Sequence, residues 1–110
     1  MKMTVKDFAE KTGFEVVCAP SPERCVGGVY IGDLLSWVMG KAKADDAWIT
    51  IMSNINVLAV ATLADISCIV LAEGVKLDGD ALHAAESKGV NVLSTELSAY
   101  SAAIKISELI

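Results

Sequence analysis

The chain is short, acidic and rich in apolar residues, and these properties exclude several classes of function. Its 110 residues suffice for one domain with one core, expected to span residues 1–110. The formal net charge is −5 and there is no basic run, so binding to nucleic acid is not expected. The longest apolar stretch, residues 55–64, is too short to cross a bilayer, and no signal peptide precedes it. We therefore expect a cytoplasmic protein that contacts neither nucleic acid nor a membrane.

The hydrophobic content predicts self-association. Hydrophobic residues make up 54% of the chain, above the ~45–50% typical of globular domains even before the eight glycines are counted. A small domain has a large surface for its volume, so part of this apolar surface must lie outside the core. A two-fold homodimer is the simplest arrangement that covers it.

The first elements in chain order are a helix, a strand, a loop and a second strand. Thr4 is placed to cap a helix that Gly13 ends. Residues 14–18 are aromatic and β-branched, which predicts a short buried strand. Both prolines lie within residues 19–28, a loop that leads into a brief strand at 29–31.

The middle of the chain predicts one helix and two further strands. Asp33 is expected to cap a helix that runs to about residue 42 and is apolar on nearly every side. The apolar runs 47–52 and 57–61 predict buried strands, and Thr62 is placed to cap a single helical turn after them.

The last third alternates strands with helices. A strand is predicted at 67–71, a helix at 79–88 and a strand at 90–93. Thr95 is expected to cap a final helix that carries two apolar stripes. Continuous apolar strands separated by helices predict an α/β fold in three layers, with a mainly parallel sheet of about five short strands covered by helices on both faces.

The second helix and the last helix have more apolar surface than one core contact requires. We therefore expect both helices to contribute to the dimer interface. The predicted interface residues are Leu34, Trp37, Val38, Tyr100 and Ile104.

Polar residues after strands and a glycine-containing loop predict a small-molecule site. In parallel sheets, ligands bind beyond the carboxyl ends of the strands, where the polar turns 53–54 and 94–95 are placed. Each also has a purely structural interpretation, Thr95 as a helix cap and residues 53–54 as a tight turn. The loop glycines form a weak pattern typical of an anion cradle beside an arginine, although we favour a tight turn that requires positive φ as their explanation. The candidate ligand-binding residues are Arg24, Gly27, Gly28, Asp33, Ser53, Asn54, Ser94 and Thr95.

No motif in the sequence indicates catalysis, a metal or a cofactor. The single histidine, His83, lies in a helix between apolar neighbours and is expected to face solvent. The sequence contains neither the P-loop of nucleoside triphosphatases nor the glycine-rich loop of dinucleotide-binding dehydrogenases. The nucleophile elbow of α/β-hydrolases is also missing. Three cysteines without close spacing predict neither a disulfide framework nor a cluster. We therefore predict a protein that is not an enzyme, with no catalytic or metal-binding residues and no cofactor.

Five segments, in the expected order, resemble the DRTGG domain family. They are 23–28, 30–36, 48–51, 56–61 and 93–100. The first, Glu-Arg-Cys-Val-Gly-Gly, departs from the Asp-Arg-Thr-Gly-Gly of the family name by two substitutions and one additional residue. Similar stand-alone domains are encoded beside components of iron-only hydrogenases. Others accompany CBS domains in regulated pyrophosphatases or form the amino-terminal part of HPr kinase/phosphorylase. The resemblance implies a regulatory or assembly role without catalytic residues.

Three hypotheses of function follow. The first is a homodimeric regulatory module that binds a small, nucleotide-like ligand, docks on a redox enzyme such as a hydrogenase complex, or does both. The second is a purely structural assembly subunit without a ligand. The third is a small acyl- or phosphoryl-handling enzyme that uses Ser94, Thr95 or Asp33, which would need a neighbouring base that the sequence does not indicate.

Overall fold

A computed structural model describes residues 3–110 and contains five helices and five strands within that range. The helices are α1 (Val5–Thr12), α2 (Leu35–Lys41), α3 (Ile55–Leu63), α4 (Gly79–Lys88) and α5 (Ala99–Ser107). The strands are β1 (Glu15–Cys18), β2 (Gly28–Ile31), β3 (Asp46–Thr50), β4 (Cys68–Leu71) and β5 (Val92–Ser94).

The strands form one sheet in the order β1-β5-β4-β3-β2. Strands β2, β3, β4 and β5 are parallel, whereas β1 pairs antiparallel with β5. The three central strands are buried throughout, because helices cover both of their faces. The predicted α/β fold with a mainly parallel five-stranded sheet is confirmed.

Two apolar clusters lie on opposite faces of the sheet and account for the three layers. Trp48, Ile69 and Val92 point to one face, where they pack with residues of α2, α3 and α4. Their strand neighbours point to the other face and pack with α1 and α5. The aromatic rings of Phe8 and Phe14 meet edge to face in this second cluster, with centroids 6.2 Å apart.

The prediction of a strand at 57–61 was wrong, because these residues belong to α3. The helix is apolar on nearly every side, so it shows no amphipathic period that would distinguish it from a buried strand. It lies between α2 and α4, where Val57, Leu58 and Val60 are buried, and this position explains its composition. Thr62 is inside the helix and does not begin one, since its hydroxyl donates to the carbonyl of Leu58 at 2.9 Å.

Two other predicted caps are also wrong, although the helices they were assigned to exist. Helix α2 begins after Leu34, which makes no side-chain cap, and Asp33 bonds elsewhere. Helix α5 is capped by Ser98, whose hydroxyl accepts from the Ser101 amide at 3.1 Å. Thr95 instead accepts from the Leu97 amide at 3.1 Å and closes a short turn before the helix.

Strand β1, predicted to be buried, is half-exposed because it forms one edge of the sheet. Strand β2 forms the other edge.

Over residues 3–110, none of the helices has the length and apolarity needed to cross a membrane.

Candidate functional site

The predicted ligand-binding residues divide between the two ends of the sheet. Arg24, Gly27 and Gly28 lie at the amino end of β2, whereas Asp33 follows its carboxyl end. The polar turns at 53–54 and 94–95 lie at the carboxyl end as well, after β3 and β5. A four-residue strand is about 13 Å long, and none of five depressions formed by the described residues is lined by residues of both groups.

At the amino end, Arg24 fastens two loops together. Its guanidinium contacts the carboxylates of Asp45 at 2.7 Å and Asp65 at 3.0 Å, and it also donates to the Asp65 carbonyl at 3.0 Å. Partial burial opposes the Arg24 charge, but the hydrogen bond and charges of these aspartates outweigh it and raise the pKa of the guanidinium. Both aspartates adopt left-handed backbone conformations, with φ of 70° and 58°. Both terminal nitrogens of Arg24 therefore take part in holding this end together.

The side chain of Asn91, which was not predicted as a site residue, makes a second connection between loops at the amino end. The buried side chain accepts from the Ser21 amide at 2.9 Å and donates to the carbonyls of Ser21 at 2.7 Å and Ser67 at 2.9 Å. It joins the proline-containing loop to the start of the sheet. An asparagine at the start of an apolar run was the only signal in the sequence.

At the carboxyl end, Asp33 ties β2 to β3. One carboxylate oxygen accepts from the Thr50 hydroxyl at 2.8 Å and from the Ile51 amide at 3.0 Å. The Trp48 indole donates to the Gly32 carbonyl at 2.8 Å, just before Asp33. This carboxylate oxygen thus links the end of β2 to the end of β3.

The polar turn after β3 supplies the cap of α3. The Asn54 side chain accepts from the Asn56 amide at 2.9 Å, and Ser53 lies half-buried immediately before it. The turn after β5 lies two strands away, because β4 is between them, so the two turns are about 10 Å apart. The capping role of Asn54 was not predicted, because residues 53–54 were expected to form a turn before a strand.

Two depressions flank Ser94 at the carboxyl end of β5. One has a volume of about 280 Å³ and the other about 350 Å³, and Glu15 and Ser94 line both. Lys76 and Leu77 line the first depression, whereas Thr95 and Lys105 belong to the second. Each depression therefore combines a lysine, a carboxylate and a hydroxyl group.

Backbone hydrogen bonds hold the loops around these depressions in place. The amide of Glu73 donates to the Leu97 carbonyl at 2.8 Å, and that of Gly74 donates to the Thr95 carbonyl at 2.9 Å. Gly74 has a φ of +71°, and an added Cβ would lie 2.9 Å from both carboxylate oxygens of Glu96. The loops after β4 and β5 thus form one connected unit.

Lys76 and Lys105 were not predicted as site residues. Lys76 lies between β4 and α4, and Lys105 lies on α5, so neither is next to the polar turn in sequence. Only the packing of these elements brings them to Ser94. A lone lysine in an acidic chain gives no sequence signal of such a role.

Two of the three cysteine thiols have a raised pKa, and the single histidine is exposed. Burial raises the pKa of the Cys68 thiol to about 12, and partial burial with the nearby Glu86 charge raises that of Cys18. Both thiols therefore stay protonated at neutral pH. His83 is exposed on α4, as predicted, and no cluster of three metal-binding side chains occurs among residues 3–110.

Four of the five predicted interface residues lie on the surface. Leu34, Trp37, Tyr100 and Ile104 are 59%, 57%, 75% and 44% exposed. Val38 was wrongly included, because it is fully buried in the core of this chain under α2. The error arose because an apolar helix does not reveal from sequence which of its sides faces its own sheet.

The described residues form a three-layer α/β domain with loop-lined depressions at the carboxyl end of its sheet. The model of the family described as the DRTGG domain matches residues 7–109. The chain belongs to the DRTGG domain family.

A solved structure supports the fold independently of sequence similarity. It contains the CBS and DRTGG domains of the regulatory region of a Clostridium perfringens pyrophosphatase, in complex with the activator diadenosine tetraphosphate. The TM-score is 0.78 at 12% identity, over 94% of this chain and 46% of that one. The chain therefore spans about half of the length of that structure. The comparison with curated protein sequences gave no match.

Proposed function

We propose that this chain is a non-catalytic, cytoplasmic regulatory module that acts as a homodimer and binds a small, nucleotide-like ligand around Ser94. The observation that carries the proposal is the pair of depressions at the carboxyl end of β5, each lined by a lysine, a carboxylate and a hydroxyl group. Ligands of parallel α/β sheets bind at this end.

The mixed charge of the lining suits a nucleotide better than a simple anion. Lys76 and Lys105 can bind phosphate oxygens, while the carboxylate of Glu15 between them can accept from a ribose hydroxyl or an amino group. Apolar side chains, among them Leu77 and Leu97, offer surface for a base. The activator bound by the pyrophosphatase regulatory region is also a nucleotide, which supports the choice of ligand class.

Isothermal titration calorimetry with ATP and with diadenosine tetraphosphate tests this proposal. We expect Lys105→Ala and Lys76→Ala each to weaken binding by about tenfold, the loss of one charge-assisted contact. Lys88→Ala, in the last turn of α4, removes the same charge elsewhere and should leave affinity unchanged. Absence of heat at millimolar nucleotide, or equal effects of all three variants, would contradict the proposal.

An assembly role is the second candidate, and the exposed apolar surface favours it. Large apolar side chains on α2, β2 and α5 are exposed by between 44% and 75%. A redox-enzyme subunit, such as a component of a hydrogenase complex, could cover that surface. Co-purification of a stable partner with a chain that binds no nucleotide would favour this alternative.

A further inference from the structure

We propose that two copies of this chain pair antiparallel through the free edge of β2, about a two-fold axis at Tyr30. The inference rests on the homodimer in the proposed function and names the surface and register through which it forms. It is independent of the ligand site, which lies at the opposite side of the sheet on β5.

The free backbone groups of β2 can be assigned from the pairing with β3. The Gly32 amide donates to the Ile49 carbonyl at 3.2 Å, so this residue faces β3. Because successive residues of a strand alternate, Tyr30 also faces β3, whereas the amides and carbonyls of Val29 and Ile31 face outward. Four hydrogen-bonding groups therefore lie along this edge without a neighbouring strand among residues 3–110.

The two edges of the sheet differ in their protection against pairing. Strand β1 is irregular, since its pairing with β5 shifts register between Val16 and Cys18. Strand β2 keeps a regular register over all four residues and contains no proline or charged residue. Natural proteins protect exposed edges with bulges, prolines or lysines, so the regular edge β2 is the one suited to a partner strand.

The apolar surface around β2 is large enough for a stable dimer. It comprises the exposed side chains of Ile31, Leu34, Trp37, Tyr100, Ile104 and Ile110. From their exposed fractions they offer roughly 700 Å², near the ~800 Å² that each partner buries in a standard interface. A groove between β2 and α5, lined by Val29, Ile31, Ala103 and Ile110, extends this surface beside the edge.

One register satisfies all four outward groups. If Val29 of one copy lies opposite Ile31 of the other, each pair exchanges two hydrogen bonds and all four groups on each strand are used. Tyr30 then meets its own symmetry mate, in a pair without direct hydrogen bonds and with Cα atoms about 4.5 Å apart. An identical strand is self-complementary in this way, which makes a second copy the occupant.

Analytical ultracentrifugation of matched edge variants tests the surface. Ile31 and Val16 are each 49% exposed, on the two opposite edge strands. We expect the wild-type chain to sediment as a dimer at 50 µM, Ile31→Lys to raise the dimer dissociation constant at least 50-fold, and Val16→Lys to leave it unchanged. A monomeric wild-type chain would overturn the homodimer as well. A dimer that Ile31→Lys leaves intact would overturn only the β2 pairing.

Cysteine cross-linking tests the register. Tyr30→Cys should form a disulfide-linked dimer under mild oxidation, because the predicted Cα separation falls within the 4.4–6.8 Å range typical of disulfides. Ile31→Cys places the two thiols two residues out of register and should cross-link far less. The wild-type chain, with Cys18, Cys25 and Cys68, measures the background. Equal cross-linking of the two variants, with folding verified by circular dichroism, would overturn the register.

Discussion

The two ends of the sheet are built differently, although the same parallel strands connect them. At the amino end, Arg24 and Asn91 join loops from distant parts of the chain through short hydrogen bonds and ion pairs. At the carboxyl end, the loops after β4 and β5 bond mainly to each other and leave depressions around Ser94. The comparison indicates that side-chain contacts secure the amino end, whereas backbone hydrogen bonds connect the loops at the carboxyl end.

The segment that resembles the motif of the DRTGG family name, residues 23–28, lies at the amino end of the sheet. In the structure this segment has an architectural role. The Arg24 side chain holds Asp45 and Asp65, which are 21 and 41 residues away along the chain. Arg24 of this segment therefore connects two loops that are distant along the chain.

The largest effect on stability is expected when the hydrogen bonds of the Asn91 side chain are removed. Asn91→Ala would leave the amide and carbonyl of Ser21 and the carbonyl of Ser67 without this partner in a buried or half-buried position. We expect a loss of about 3 kcal/mol in the free energy of unfolding, measured by urea denaturation. Asn56→Ala, at an exposed position of α3, is the matched control and should change stability by less than about 0.5 kcal/mol. A loss below about 1 kcal/mol for Asn91→Ala would show that the amino end does not secure the fold.

A smaller effect is expected for the loop connection at the carboxyl end. Gly74→Ala places a Cβ against the Glu96 carboxylate at a φ of +71°, and we expect it to cost roughly 1–2 kcal/mol. Gly40→Ala, within α2 and with no atom within 4 Å of the added Cβ, should instead stabilise by about 0.5–1 kcal/mol. Thermal unfolding of both variants would measure the difference, and equal effects would contradict the assigned strain.

Local sequence signals predicted most of the fold. The caps Thr4 and Asp78, together with the stops Gly13 and Gly89, act within four residues of the helix ends they define. Helix α3 was missed because it is apolar on nearly every side, so its sequence has no amphipathic period. Propensity alone does not separate a buried helix from a buried strand of this length.

The candidate site was predicted only in part, for a related reason. Ser94 and Thr95 were selected because they follow a strand, and they do line the depressions. Lys76 and Lys105 come from two other elements, and no spacing rule connects them to β5. The partners of Arg24 were equally inaccessible, because an ion pair across 41 residues depends on the packed fold.

The central claim is that the ligand binds at the carboxyl end of the sheet. A ¹H–¹⁵N correlation NMR titration with ATP tests it most directly, because it observes the backbone amides at both ends of the sheet in one experiment. The account predicts saturable shifts in the amides of residues 75–77 and 94–97, which surround the depressions, with residues 24–28 and 89–91 unchanged. Shifts centred on the Arg24 segment, or none at millimolar nucleotide, would contradict the assignment of the ligand site to the carboxyl end.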